Sequence, residues 1–350
     1  MLSHACGTTP QIERSVQNQY RLCYAKIMVD RHSHFSAKGI LMPSDQDPRV
    51  PWYNPEGEVV VATKTNEKPH KGKVLAAVQA HADDIPFFCA GLCAKLIDEG
   101  YTAYLIQTTN DEKCGPGTMG ETIAQNEREI EVLAAEIGFE QVIHLGYRNH
   151  FLDEAAPTEL RARLVYLIRA LKIDTITTFN PWGHWEENPD HTITGQAVEA
   201  ARWMAGMGKD YPEQLVCGMQ PHSVKDLYYW AMRPGQPFNT VVDIADYIDE
   251  KVASMSANKA QGPAGAHGRR LKERLAREGK RLPALGDDDE EADRQYIRLF
   301  GLQEYQRIGA PYGLAYAEAF YYMPPGGTFT GAMSGADIEA YIAKHAEDLP

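Results

Sequence analysis

From Lys73 onward, short apolar runs alternate with segments whose apolar residues recur at helical spacing. VLAAVQA (74–80) is nearly all apolar, and FFCAGLCAKLIDEG (87–100) repeats apolar residues every three or four positions before it stops at Gly100. Such a pair predicts a buried strand followed by a helix. The pair recurs: TAYLIQTT (102–109) precedes a helix over about 121–137, QVIHLG (141–146) precedes TELRARLVYLIRALK (158–172), and IDTITTFN (173–180) precedes a helix that begins near His191. Strand–helix units in succession predict an α/β fold, a Rossmann-like and mostly parallel sheet with helices on both faces. DLYYWAM (226–232) adds a later strand, and a helix is expected at about 243–260.

The flanks have another character. Residues 1–70 are polar and rich in Pro and His, with one apolar run at 57–63, and read as an extended N-terminal arm. The α/β core occupies 71–260. Residues 261–294 join a basic, helix-like stretch, GRRLKERLAREGKR, to the acidic run GDDDEE and read as a solvated helical excursion. Residues 295–350, with QYIRLFGLQEYQRIG and YAEAFYYMPP, read as a C-terminal extension that packs on the core. Additions of this kind cap active sites or build homo-oligomers.

Composition narrows the partners. The 350 residues carry 35 Lys+Arg against 48 Asp+Glu, a formal charge of −13. Nucleic-acid affinity comes from cations that displace counterions, so nucleic acid is not expected as a partner. No apolar stretch approaches the roughly 18–20 residues of a membrane span, and the first twenty residues lack the apolar centre of a secretory signal. The expected address is the cytoplasm. The six cysteines show no C-x-x-C spacing, and Cys89 and Cys93 read as small core residues on a helix.

In open parallel sheets, ligands gather beyond the carboxyl ends of the strands. The loop after the first core strand, His81-Ala82-Asp83-Asp84, packs an imidazole and two carboxylates into four residues. The loop after the fourth runs from Trp182 through His184, Trp185 and Asn188 to Asp190 and His191. Two distant segments thus offer His, Asp and His at one edge, a set that leaves positions open for water or substrate, as catalytic zinc requires. Taken singly, Asp190 also reads as a helix N-cap and His81 as an ordinary strand-end histidine. The glycine-rich loop 114–120 lacks a Gly-Lys-Ser/Thr ending and reads as a rim rather than a phosphate loop.

Taken together, His81-Ala-Asp-Asp84, Thr108-Thr-Asn-Asp-Glu, Asn126-Glu-Arg-Glu129, Leu145-Gly-Tyr and Asn188-Pro-Asp-His191 resemble the LmbE/PIG-L family of zinc-dependent N-deacetylases. The resemblance runs from about 74 to 235 and resumes at Asp249-Glu-Lys, Lys259-Ala-Gln and Tyr316-Ala-Glu-Ala-Phe320. It implies one zinc per chain, held by His81, Asp84 and His191, although such mixed sites also accept iron, manganese or cobalt. It makes Asp83 the general base and Asp190 the partner that orients a neighbouring imidazole.

The chain departs from the family pattern at Ala82 (usually Pro), Ile85 (usually Glu) and Asn188 (usually His). An Asn amide can donate to an oxyanion but cannot supply a proton, which leaves His184 as a candidate acid. The resemblance further implies sugar contacts at Asp111, Lys113, Arg148 and Asn149, with Arg128 nearby in sequence, and Trp182 and Trp185 could stack on a sugar ring. The expected function is removal of an acetyl or similar acyl group from an N-acylated small molecule, a sugar first. The alternatives are an amidase for a non-sugar amine or thiol conjugate, and a non-catalytic binding protein on the same scaffold.

Overall fold

β2 (Val74–Gln79) lies inside an eight-stranded sheet. The computed structural model describes residues 59–261, 265–324 and 335–347, all within one compact unit, Val50–Pro350. The other strands are β1 (Val60–Ala62), β3 (Thr102–Thr109), β4 (Gln141–Tyr147), β5 (Thr175–Phe179), β6 (Asp226–Trp230), β7 (Thr240–Asp243) and β8 (Ala317–Met323), in the order β1-β7-β8-β6-β5-β2-β3-β4. Only β8 runs antiparallel to its neighbours, β6 and β7, among the described strands. Most of the arm expected at 1–70 lies outside the described residues.

The helices are α1 (Asp84–Phe88), α2 (Ala90–Asp98), α3 (Met119–Ile137), α4 (Pro157–Leu171), α5 (Pro189–Ala205), α6 (Pro212–Val216), α7 (Ile248–Ala257), α8 (His267–Arg277), α9 (Asp289–Phe300), α10 (Gln303–Gly309) and α11 (Gly335–His345). Leu75 and Ala77 of β2 face a core built with α2, α3 and α7, including Leu92, Leu133 and Val252. Ala76 and Val78 face the opposite core, with Leu164 and Ile168 of α4 and Val198 and Ala201 of α5. Both faces of β2 are therefore dry, which is why its sequence shows no polar alternation.

Two expected helices differ in the structure. The segment 87–100 is broken at Cys89 (φ −152°), which separates α1 from α2. At Gly91 a Cβ would lie 2.4 Å from the Ile244 side chain, so the start of α2 presses directly onto its neighbour. The helix expected at 243–260 begins late: Thr240–Asp243 pairs with β8 and β1 as β7, and a 3-10 turn at Ala245–Tyr247 precedes α7. Strand pairing across the chain overrode the local pattern there. In the charged segment, α8 buries only Gly268, whereas Ala292 and Asp293 of α9 are buried and Asp293 accepts from Arg269 Nε at 2.7 Å.

This topology positions the site. After β2 the chain moves to β3 on one side, while β5 lies on the other, so the loops that follow β2 and β5 meet at the carboxyl edge. α5 approaches β5 closely, since a Cβ on Gly195 would stand 2.9 Å from the Phe179 carbonyl oxygen.

Candidate active site

Two short motifs face each other across that edge. Asp84 opens α1, and its Oδ2 accepts the backbone N–H groups of Ala80 (3.0 Å) and His81 (2.7 Å), folding the loop back on itself. Across from it, Asn188 caps α5 by accepting the Asp190 N–H at 3.0 Å, with Pro189 at the first helical position. Because Asn188 is the cap, the Asp190 carboxylate is free for another task. It accepts from His81 Nε2 (3.1 Å), His150 N (2.6 Å) and Leu152 N (3.1 Å). Burial works to raise the Asp190 pKa, and these hydrogen bonds outweigh it and hold the group below its ordinary value.

With Nε2 anchored, His81 turns Nδ1 toward His191 Nε2, 2.9 Å away. His191 is anchored likewise: its Nδ1 lies 3.0 Å from Glu186 Oε1, and Arg233 grips Glu186 at 2.9 and 3.1 Å. His191 Nε2 also lies 3.2 Å from Asp84 Oδ1. His81, Asp84 and His191 each offer a donor atom, all within 4.8 Å of one another, and all three residues are buried. Burial pulls the His191 pKa down, but Asp84 and then Glu186 outweigh it and lift it to about 10. Two imidazoles whose outer nitrogens are tied to carboxylates, converging with a third carboxylate, suit a divalent ion that takes mixed nitrogen and oxygen ligands.

A cavity of about 480 Å³ opens over this cluster. Asp83, Asn188 and His150 line it together with the three donors. Burial, reinforced by the adjacent Asp84, raises the Asp83 pKa to about 6. The remaining wall comes from Phe87, Phe88, Cys114, Met232, Arg233, Gln261, Gly301, Glu304 and Tyr305. Burial, with Asp111 and Asp83 nearby, raises the Cys114 thiol to about 12, so it is a poor thiolate nucleophile.

Residues 76–202 match the PIG-L family, GlcNAc-PI de-N-acetylase. The chain carries a PIG-L domain. Diacetylchitobiose deacetylase of Thermococcus kodakarensis is 28% identical over 205 residues, which cover 57% of this chain and 74% of that protein. Among solved structures, N,N'-diacetylchitobiose deacetylase from Pyrococcus horikoshii matches with a TM-score of 0.59 at 21% identity, covering 76% of this chain and 88% of that one. The 4-carboxy-2-hydroxymuconate hydratase from Pseudomonas putida matches with a TM-score of 0.53 at 18% identity, covering 74% of this chain and 100% of that one. The two structures establish the fold, which deacetylases share with a hydratase, so the chemistry has to be argued from the site.

The PIG-L domain gathers only part of the expected residue set. None of the seven expected substrate contacts lines the cavity. Asp111 is buried behind the loop, where Oδ2 accepts Ala82 N–H (2.9 Å) and Gln107 Nε2 (3.0 Å); burial raises it to about 7, against the pull of His81. Lys113 donates to the Asn149 carbonyl oxygen at 2.8 Å, with its Nζ 3.9 Å from the Phe151 ring centroid. Arg148 Nε donates to Glu112 at 3.2 Å, and Asn149 is buried beside Cys114. Arg128 is exposed on α3, Trp182 and Trp185 are 67% and 76% exposed, and the exposed His184 lies outside the lining.

Sequence reasoning missed Glu186, Arg233 and His150. Glu186 carried a faint signal, since it stands in the same acidic loop as His191. Gln261 stood only as the end of the Lys259-Ala-Gln stretch of the resemblance, and Arg233, Glu304 and Tyr305 carried no signal as wall residues, because they enter from beyond the strand–helix repeat.

Proposed function

We propose that this chain is a divalent-metal-dependent N-deacetylase, with zinc as its ion, that hydrolyses the acetamide of an N-acetylated amino sugar or its conjugate. One juxtaposition carries the proposal: Asp83 shares a cavity with the convergent donors of His81, Asp84 and His191. The PIG-L match and the diacetylchitobiose deacetylase relative support the amide and the sugar.

A bound ion there would supply Lewis acidity to the amide carbonyl and to water. Asp83 takes the proton of the attacking water, the task for which a carboxylate raised toward neutrality is suited. Asn188, with Oδ1 committed to the helix cap, presents its Nδ2 hydrogens to the developing oxyanion. His150, on the cavity wall, is better placed than His184 to give a proton to the departing amine.

The test is metal analysis by mass spectrometry with a deacetylation assay on N-acetylglucosamine and its conjugates. About one zinc per chain is expected, lost in His191→Ala, and Asp83→Asn is expected to keep the metal while losing at least about 100-fold in kcat. Metal without turnover on any amide would instead favour a binding role or hydratase-type chemistry, a second reading favoured by Asn188 and by the fold shared with a hydratase.

A further inference from the structure

Beside the convergent donors the cavity has an apolar side, formed by Phe87, Phe88, Met232 and Tyr305. The Phe179 ring lies flat against His191, 4.1 Å between centroids at 17°. Phe88 packs edge-on to Phe179 at 5.9 Å and stacks on Trp230 at 5.2 Å and 8°. Phe87, Phe88, Met232 and Tyr305 all line the cavity, and the first three remain partly exposed to it. The wall is held by further contacts: Tyr305 Oη donates to the Phe87 carbonyl oxygen at 2.7 Å, and Lys251 Nζ sits 4.0 Å from the Tyr305 ring centroid. The polar side chains on the wall have partners of their own: Arg233 donates to Glu186, Gln261 Nε2 to Asn126 Oδ1 at 3.2 Å, and Glu304 accepts from Arg307 Nε at 2.9 Å; Asp111, Lys113 and Arg148 lie outside the lining.

We infer that the substrate carries a bulky apolar group next to the scissile amide, as an aglycone on the sugar or as an acyl chain larger than acetyl, and that Phe87, Phe88, Met232 and Tyr305 select it. This rests on the amide-hydrolase proposal above and sharpens its substrate class. A free N-acetyl sugar would leave this aromatic surface wet, whereas an apolar group covers it at no cost in loop ordering, because the wall is already built. Discrimination of about 10- to 200-fold is the range that apolar pockets provide for small changes in apolar bulk.

The zinc-loaded protein is assayed for amine release from three substrates: N-acetylglucosamine, octyl N-acetylglucosaminide and N-octanoylglucosamine. At least a tenfold higher kcat/KM is expected for one of the two octyl compounds, and which one tells whether the wall receives the aglycone or the acyl chain. Met232→Gln and, as a second variant, Phe87→Ser are expected to lower that preference severalfold, with far-UV circular dichroism checking that each is folded. Equal kcat/KM for all three substrates, or a preference unmoved in both folded variants, overturns the inference and leaves the deacetylase proposal standing. No hydrolysis of any of the three by metal-replete protein overturns the deacetylase proposal, and the inference with it.

Discussion

Lys251 and Glu318 form an ion pair at 2.8 Å with both side chains completely buried. The lysine also donates to the carbonyls of Pro86 (2.8 Å) and Phe87 (3.1 Å) at the end of α1, and the glutamate accepts the N–H groups of Gly91 (3.0 Å) and Leu92 (2.8 Å) at the start of α2. The pair therefore staples the break at Cys89 by satisfying backbone groups that the interrupted helix leaves open. Burial disfavours the ammonium, but Glu318 outweighs it and holds the lysine charged. Lys251→Met strands a buried carboxylate and is expected to cost about 3–5 kcal/mol in chemical denaturation. A loss below about 1 kcal/mol would show that the pair is not needed to hold α1, which carries Asp84.

Arg233 reaches the candidate metal centre through Glu186. Losing its two bonds to Glu186 frees the carboxylate that fixes the His191 ring. Arg233→Leu is expected to weaken zinc affinity by about 10- to 100-fold in a chelator competition, with Arg233→Lys recovering part of the loss. Unchanged affinity in both variants would rule out this positioning role.

Asn188 has two separable jobs. As the cap of α5 it should contribute about 1 kcal/mol to stability, and as an oxyanion donor about 100-fold in kcat. Asn188→Ala removes both, whereas Asn188→Asp keeps the cap and removes the amide donor. Denaturation curves and kcat measured on the two variants should therefore part company; full activity in Asn188→Asp would argue against the oxyanion role.

Acid stability depends on Asp98 at the end of α2. Tyr247 Oη donates to it at 2.9 Å, with Lys68 Nζ at 3.1 Å and Lys64 Nζ at 3.2 Å, and together they lower its pKa from 3.8 to about 2. The folded value lies below the unfolded one, so the contribution is complete above about pH 4 and disappears as the pH falls toward about 2. The carboxylate is partly exposed and screened, which limits the effect to about 1 kcal/mol or less. Asp98→Asn should lower Tm at pH 7 and converge on the parent near pH 2; a gap that stays constant across this range would refute the linkage.

Much of the site was legible because it obeys local rules. His81, Asp83 and Asp84 follow a run that reads as a buried strand, and Asp190-His191 reads as the start of a helix. Those rules offered Asp190 as the helix cap, whereas Asn188 holds that place in the structure. Side-chain hydrogen bonding decided it, because Asp190 has three donors waiting in His81, His150 and Leu152. Apart from Arg128 on α3, the expected substrate contacts lie in loops at this edge, yet none of them lines the cavity. A loop residue's number places its backbone near an edge, whereas the direction of its side chain depends on left-handed positions such as Asp111 (φ 54°) and His150 (φ 59°).

The strand–helix alternation, the place of the loops at the carboxyl edge and the residue types of the candidate metal-binding set were all determined by the sequence alone, since hydrophobic period and capping act over a few residues. Tertiary structure alone decided that Lys251 meets Glu318, that Arg233 reaches Glu186, and that Gln261, Glu304 and Tyr305 close the cavity. These residues come together only when β6, β7 and β8 are added beside β5, and no local pattern in a chain encodes which distant segments its sheet will bring side by side.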